Sequence, residues 1–274
     1  MCGSRLRKTN KSLLWLWLGL GVGGFALLLL CGGVVGVIFY LKSRGGTTTA
    51  AGDSRFKNIP GLVAHWPMEE ADGGKILDQS GRGNHATLKG GKLAKGASGD
   101  ALWLGGQGEY CDLGQSADLN FPAKGNFTFA GWFNTNQPSA TILSFRSQQN
   151  GCQIDLLVRE GKLIVVVGDD LDPGPKNAFV WGRFVNDGQW HHFTFTRTGD
   201  VIELFLDGGS QGSMRAENSG GSITTNLRAL GSERRWVLDN VKEYGSPWFQ
   251  GGIDEVCIFN RALSAAEIKS LMQR

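Results

Sequence analysis

One strand-like phrase in this sequence places a carboxylate where it could do chemistry, Gln153-Ile154-Asp155-Leu156-Leu157-Val158. Hydrolysis of a glycosidic bond needs two carboxylates about 5 to 9.5 Å apart that flank the scissile bond. Asp155 has no second carboxylate in this phrase, and Asp254 and Glu255 are sequence neighbours whose side chains would point to opposite faces of a strand. The sequence also lacks His-Glu-x-x-His and a phosphate-binding loop. We therefore expect no catalytic residues and no enzymatic activity.

The segment from Asp78 to Asn84 offers oxygen atoms that suit a cation. Short polar side chains between glycines also favour a tight loop in which Asp and Asn bind their own backbone, so a purely structural loop is one interpretation. The other is a calcium site, because Ca²⁺ takes about six to eight oxygen ligands in flexible geometry. Asp78, Asn84 and backbone carbonyls would supply several ligands, and Glu70 and Asp254 would join them if the first and last strands pair. Such an ion would hold the two ends of the domain together.

Aromatic side chains in two turn-rich stretches are candidates for binding a ligand. These are Trp181 in one stretch and Trp248 and Phe249 in the other. An exposed aromatic surface with convergent polar groups is a common way to bind sugar. Aromatic residues in loops also close the ends of β-sandwiches, so both roles remain open for these three residues.

Histidine and cysteine give no sign of a metal centre. His191 and His192 are adjacent on a predicted strand and point to opposite faces, so they cannot chelate one ion together, and we expect His192 to be buried. Cys111, Cys152 and Cys257 are an odd number in the second part of the chain, and we expect no structural disulfide among them.

The first 41 residues predict a membrane anchor. Residues 13–41 contain no charged side chain. A helix of that length reaches about 43 Å, more than the roughly 30 Å hydrocarbon core of a bilayer. A cleaved signal peptide has a shorter apolar region, of about 7 to 15 residues. We therefore predict one transmembrane helix at 13–41, in which the pairs Gly19/Gly23 and Gly32/Gly36 leave homodimerisation through the helix as an option.

Charge along the chain predicts the orientation of that anchor. The tail at residues 1–12 holds four Lys and Arg and no acid, so the positive-inside rule places the N-terminus in the cytoplasm and the C-terminal part outside the cytoplasm. The first 57 residues hold eight basic residues and one acid, whereas the whole chain carries a net charge of +3, so the remainder is acidic by four charges. A nucleic-acid partner is not expected, because binding phosphates needs a basic surface on the folded domain.

The pattern after the anchor predicts a flexible linker at 42–59 and one all-β domain at 60–274. Short apolar runs bounded by Gly, Asn or Asp indicate strands at 62–68, 101–104, 110–113, 127–133, 141–145, 154–158, 163–167, 192–196 and 201–206. Turns near Gly161 and Gly199 predict two β-hairpins. Two packed antiparallel sheets accommodate these runs, since no long helical period interrupts them. At the C-terminus, Ser264 and Glu267 form a capping-box pattern that predicts a short helix.

Four phrases together resemble the LamG-like jelly-roll domains of the concanavalin A-like lectin/glucanase superfamily. They are GLVAHWPMEE (61–70), DQSGRGNH (78–85), DGQWHH (187–192) and GIDEVCIFNRALS (252–264). The resemblance implies a two-sheet jelly roll, often displayed outside the cell and usually concerned with binding, and members of the family often hold a calcium ion at the positions of the candidate ligands above. The glucanases of the superfamily carry Glu-x-Asp-x-x-Glu on one strand, and the phrase around Asp155 lacks both glutamates.

We therefore interpret the chain as a single-pass membrane protein for recognition or adhesion, which displays a LamG-like domain to glycan or protein ligands outside the cell. The alternative is a structural envelope protein without a ligand, in which the domain serves as a spacer. The sequence does not identify the ligand.

Overall fold

The computed structural model describes residues 56, 59–69, 71–171, 178–215, 220–233 and 248–273. The predicted tail 1–12, the predicted span 13–41 and nearly all of the linker 42–59 lie outside these residues, as does the helix-mediated dimer. Within the described part, no helix has the length and apolar character needed to cross a membrane. The prediction of an anchor is therefore left untested.

Seventeen β-strands make up most of the described part of the domain. In chain order, the first nine are β1 (Leu62–Trp66), β2 (Ala71–Asp72), β3 (Lys75–Ile76), β4 (Ala86–Lys89), β5 (Lys92–Lys95), β6 (Asp100–Gly105), β7 (Tyr110–Asp112), β8 (Phe127–Asn134) and β9 (Ala140–Arg146). The other eight are β10 (Gln153–Arg159), β11 (Lys162–Gly168), β12 (Ala178–Phe184), β13 (Trp190–Thr198), β14 (Val201–Leu206), β15 (Gly209–Arg215), β16 (Leu227–Leu230) and β17 (Gln250–Phe259).

These strands form two antiparallel sheets. Sheet A has the order β15-β14-β13-β8-β17-β6-β5, with β1 paired to the second half of β17. Sheet B has the order β12-β11-β10-β9-β16-β7-β4-β3-β2. The predicted all-β sandwich of two antiparallel sheets is confirmed.

Aromatic rings join the two sheets through the core. Phe129 on β8 stacks on Phe195 of β13 at a centroid distance of 5.0 Å, and it meets Phe145 of β9 in the other sheet edge-on at 5.2 Å. All three side chains are fully buried. Burial of a side chain of this size contributes about 1.5 to 3 kcal/mol, so alternate phenylalanines on β8 and β13 both select the inner face and hold the layers together.

Both predicted hairpins are present. Glu160 and Gly161, each with positive φ, connect β10 to β11, and Gly199, with φ of 62°, lies in the turn between β13 and β14. Two successive residues with positive φ match the right-handed twist of the flanking strands, which explains why the first hairpin is so tight.

The chain closes on itself through β1 and β17. Ala64 lies opposite Ile258 and Trp66 opposite Val256, while the first half of β17 pairs with β6 on the same edge. A β-bulge separates the two halves, and Glu255 adopts a positive φ of 50° within it. The first and last strands therefore pair, which is the condition under which Glu70 and Asp254 were considered as calcium ligands.

One α-helix in the described part, α1 (Ala265–Leu271), follows β17. The Ser264 hydroxyl accepts a hydrogen bond from the Glu267 backbone N–H, and the Glu267 carboxylate accepts one from the Ser264 N–H. Ile268 and Leu271 are buried against the sandwich. The predicted capping box and short C-terminal helix are confirmed.

Buried polar groups fasten the loops. The guanidinium of Arg228, which is fully buried, donates hydrogen bonds to the carbonyl oxygen of Ser116, to Asn120 Oδ1 and to Thr225. Burial lowers the pKa of Arg228 to about 10, which leaves the side chain charged at neutral pH. Cys111, Cys152 and Cys257 are buried and form no disulfide among the residues that the structure describes.

His191 joins the start of β13 to the turn between β14 and β15. Its Nδ1 lies 3.0 Å from Asp207 Oδ2, and its Nε2 lies 3.1 Å from Asp187 Oδ1. The hydrogen bond with Asp207 raises the pKa of His191, although burial opposes this. Burial would raise the pKa of Asp207, but hydrogen bonds from His191 and from the His192 backbone N–H outweigh it and lower that pKa to about 2. His192 points to the opposite face and is buried beside Trp132.

We predict that the His191 cluster stabilises the fold most between about pH 4 and pH 6.5. The stabilisation from protonated His191 is complete below the pKa of histidine in the unfolded chain. It is lost as the pH rises through the raised pKa of His191 in the folded protein. Ionised Asp207 contributes above the unfolded pKa of Asp, and this contribution disappears as the pH falls towards 2. The loss in unfolding free energy caused by His191→Gln should therefore be larger at pH 5.5 than at pH 9 in urea titrations.

Arg183→Gln is the matched control, because Arg183 donates to the same Asp207 carboxylate but stays charged throughout this range. Its effect should be the same at both pH values. An equal loss at pH 5.5 and pH 9 for His191→Gln would contradict the prediction.

Candidate functional site

Asp78 organises the loop that follows β3. Its carboxylate accepts hydrogen bonds from the backbone N–H groups of His65, Ser80 and Asn84 and from the Ser80 hydroxyl, at 2.7 to 2.9 Å. Both carboxylate oxygens are therefore in use within the protein. Asn84 is also buried. Its side-chain amide donates a hydrogen bond to the Val63 carbonyl, and its backbone carbonyl accepts one from the Trp66 indole N–H. These contacts fasten the loop to β1.

Asp254 lies in a different environment, under the loop between β5 and β6. Its Oδ2 accepts hydrogen bonds from the backbone N–H groups of Ala97 and Ser98, at 2.9 and 3.0 Å. Its Oδ1 is buried and has no hydrogen-bond partner. Burial raises the pKa of Asp254 to about 7, and the neighbouring Glu255 carboxylate adds to the increase.

The four proposed calcium ligands are not seen as one group. Asp78 and Asn84 share a loop, Asp254 lies at the bulge of β17, and Glu70 lies outside the described residues. Among the residues that the structure describes, no three or more His, Cys, Asp or Glu are arranged to hold a metal ion. The calcium site remains a prediction. Among the described candidate ligands, Asp254 has a buried carboxylate oxygen, Oδ1, that accepts no hydrogen bond from a described protein donor.

The aromatic candidates have three different surroundings. Trp181 lies on β12 at the edge of sheet B and is 43% exposed. Trp248 is half-buried, stacks on Tyr110 at a centroid distance of 6.3 Å and bridges to Ser232. Phe249 is fully buried in the core, so the prediction that it binds a ligand at the surface is corrected: it closes the end of the sandwich instead.

Asp155, the carboxylate of the glucanase-like phrase, forms a buried ion pair. Its Oδ2 lies 2.6 Å from Arg146 Nη2, and its Oδ1 accepts a hydrogen bond from the Ser144 hydroxyl. Arg146 also approaches Glu233, at 3.6 Å. The pair links β9 to β10, which is a structural task for this carboxylate.

A row of residues across sheet A contributes Lys92, Trp103 and Asn134 to the lining of an open pocket. The strand register aligns Lys92, Trp103, Gly252, Asn134 and Trp190, one from each of five neighbouring strands. Residues opposite each other in adjacent strands point to the same face. Since Gly252 has no side chain, the half-buried rings of Trp103 and Trp190 meet above it, edge to face, with centroids 5.7 Å apart.

The pocket has a volume of about 720 Å³, within the usual range for small-molecule sites. Its polar lining comes from Lys92, Glu109 and Thr135 and from four amides: Asn134 at the end of β8, Asn136 and Gln137 in the loop after it, and Gln250 at the start of β17. Gly105 and Gly251 leave it open: a Cβ at Gly105 would lie 2.9 Å from Glu109 Oε1, and a Cβ at Gly251 would overlap the Asn134 carbonyl oxygen.

Hydrogen bonds fix the loop that borders this pocket. Gln137 Oε1 accepts from the Gln250 N–H at 2.6 Å, and its Nε2 donates to the Trp248 carbonyl at 3.4 Å. The Thr135 hydroxyl donates to the Gln250 carbonyl at 2.8 Å, and the Asn134 amide donates to the Gly188 carbonyl at 2.6 Å. The pocket is therefore largely formed before any ligand arrives.

Sequence reasoning missed this pocket, apart from its neighbour Trp248. The lining residues come from five separate segments, and none of those segments has a motif of its own. The signal that was available is the cluster of polar amides at 134–137, directly after the most aromatic strand, together with three glycines at 251, 252 and 105. Without the strand register, these features cannot be placed together.

The fold is similar to several solved binding domains. The binding domain of Paraclostridial Mosquitocidal Protein 1 has a TM-score of 0.60 and 17% identity, and covers 77% of this chain and 52% of that chain. The botulinum neurotoxin serotype G binding domain has a TM-score of 0.57 and 18% identity, with coverages of 77% and 50%. This chain thus spans about half the length of these two toxin domains.

A third similar structure is domain 4 of AbnA, a GH43 extracellular arabinanase from Geobacillus stearothermophilus, in complex with arabinotriose. It has a TM-score of 0.54 and 20% identity, and covers 78% of this chain and 98% of that chain. At these identities the likenesses establish the fold alone.

No curated protein matches the chain by sequence. A family model does, over residues 105–269, which include the pocket residues Glu109, Gln137 and Gln250 as well as the strands on which the two sheets depend. With the match covering more than half of the sequence and the two-sheet sandwich in agreement with it, the chain belongs to the concanavalin A-like lectin/glucanases superfamily.

Proposed function

We propose that this protein is a membrane-anchored recognition protein whose β-sandwich binds a carbohydrate or protein ligand outside the cell. The observation that carries the proposal is the open pocket that the half-buried Trp103 lines together with one carboxylate and four amide side chains. An apolar or aromatic wall with a few placed polar groups is the usual composition of a ligand site. The similar structures support binding as well, since two are toxin binding domains and one holds arabinotriose.

Binding is favoured over hydrolysis by the state of the carboxylates. Asp155 is committed to Arg146 and Ser144, and Glu109 is the one carboxylate among the described residues that line the pocket. A glycosidase mechanism with a carboxylate pair needs a second one about 5 to 9.5 Å away across the scissile bond. We therefore propose a binding module without catalytic residues.

The test is an array of immobilised glycans and extracellular proteins probed with the full chain in a detergent that has no sugar head group. We expect specific signals that vanish after heat denaturation of the protein. If the folded protein binds nothing on the array, the alternative of a structural spacer is favoured and the proposal fails.

Anchoring by residues 13–41, with the N-terminus in the cytoplasm, is part of the proposal. It is supported by the length of the uncharged stretch and by the four basic residues that precede it. In right-side-out vesicles, an epitope tag after Arg274 should bind antibody directly, whereas a tag before Met1 should bind only after detergent is added. The reverse pattern would contradict the orientation, and recovery of the intact chain in the soluble fraction would contradict the anchor.

We also propose that Ca²⁺, if bound, is held at Asp254. The support is its buried Oδ1, which accepts no hydrogen bond from the described residues, and the cost of ionising a carboxylate whose shift includes no contribution from a described cation. Asp78 fits less well, because four hydrogen bonds already occupy its oxygens. The ion would neutralise Asp254 and strengthen the junction of β5, β6 and β17.

Asp254→Asn tests this proposal. Because the pKa of Asp254 is raised to about 7, its ionisation destabilises the fold as the pH rises from about 4 towards 7, and the variant avoids that loss. In chelator at pH 8, the variant should therefore melt at the same temperature as the wild type or higher. In millimolar Ca²⁺, the melting temperature of the wild type alone should rise. An equal change in melting temperature of the two proteins on adding Ca²⁺ would contradict the proposal.

A further inference from the structure

Resting on the proposed function, we propose that the pocket beside Trp103 binds a neutral saccharide unit. One face of the sugar ring would lie against the Trp103 indole, and neighbouring hydroxyl groups would donate to the Glu109 carboxylate. This assigns a ligand class and residue roles to a pocket that the sequence motifs did not indicate.

The indole is held in place for such a role. Its Nε1–H donates to the Lys95 carbonyl at 3.1 Å, and its ring packs edge-on against Trp190. The side chain is half-buried, so part of it is left for contact with a ligand. A sugar ring carries a face of C–H groups that packs well on a flat aromatic surface, and a side chain that is already fixed loses little conformational entropy on binding.

The polar groups match hydroxyls. Glu109 Oε2 accepts a hydrogen bond from the Gln107 N–H at 2.9 Å, and this leaves further acceptor positions on the carboxylate. An ionised carboxylate is acceptor-only, so it takes hydrogen bonds from hydroxyl donors. Gln250 and Asn136 are exposed amides that can both donate and accept, as a hydroxyl does.

The charged side chains that line the pocket favour a neutral ligand. Among the residues that the structure describes, the pocket lining holds one cation, Lys92, and one anion, Glu109. An acidic sugar would bring its carboxylate into the pocket that holds Glu109, and like charges at short range are unfavourable. A cationic ligand would meet Lys92 in the same way. A ligand with many hydroxyls and no charge uses both residues without that penalty.

The experiment uses the full chain in the detergent without sugar groups, with arabinotriose and a panel of neutral and acidic oligosaccharides as probes. We expect neutral glycans to bind. Glu109→Gln keeps the size of the side chain but replaces a charged acceptor, and should weaken binding about tenfold. Trp103→Phe should weaken it less than Trp103→Ala, since Phe keeps a ring but loses the bond to Lys95.

Two variants control for the loss of a carboxylate or of an aromatic side chain outside the pocket. Glu203→Gln alters another carboxylate of sheet A, which accepts one hydrogen bond from the Ser210 hydroxyl, and Phe184→Ala removes an aromatic side chain that is 65% exposed on β12. Both should bind as the wild type does. Melting curves verify that every variant is folded, and Glu109→Gln remains decisive if Trp103→Ala does not fold.

The outcomes separate this inference from the function on which it rests. Glycan binding that Glu109→Gln and both Trp103 variants leave unchanged, or binding that Trp181→Ala abolishes instead, would overturn the pocket assignment while recognition itself stands. Binding confined to acidic glycans would overturn the choice of a neutral ligand. Absence of any binding by the folded wild type would remove the proposed function together with this inference.

Discussion

The pairing of β17 with three partners is the constraint on which the rest of the structure depends. One edge of this ten-residue strand runs along β8, and its other edge is shared between β6 and β1. The bulge at Glu255 lies where the partner on that edge changes from β6 to β1, and it shifts the register of β17 against β8 between Asp254 and Cys257. An inserted residue of this kind also increases the local twist of the strand. The first half of β17 therefore positions β6, and the second half positions β1.

The three features with functional interest follow along β17. Gln250 and Gly252, in its first half, belong to the pocket and to the row of residues beneath the two tryptophans. Asp254 lies next to the bulge and reaches the loop between β5 and β6. The second half closes the sheet against β1 and leads into α1, whose cap is tied by Arg261 to Glu267 and to the Pro60 carbonyl. An error in the register of β17 would therefore disturb the pocket, the buried carboxylate and the chain ends together.

Much of the fold could be predicted from the sequence because its signals are local. Alternate phenylalanines, turns at Gly161 and Gly199, and the Ser264 capping box each act within a few residues. Two of the strands that were not predicted show why: β15 is an exposed edge strand, so no apolar alternation is needed there, and β16 is buried on both faces but contains Arg228, so no apolar run marks it. Arg228, a charged residue at the centre of a loop network, could not have been recognised as buried from its type.

The site was harder to predict than the fold, because proximity in a sheet is decided by register. Trp103, Glu109 and Gln250 come from distant positions, and each looks ordinary in its own segment. Phe249 shows the same limit in the opposite direction: its turn-rich surroundings suggest a surface residue, yet its side chain lies in the core because Trp248 bridges to Ser232 immediately before β17 begins. Adjacent residues on an extended chain point to opposite faces, so the direction of Phe249 also fixes that of Trp248. Because β17 begins directly after them, the way this strand enters the sheet places Phe249 in the core and leaves Trp248 half-buried at the surface.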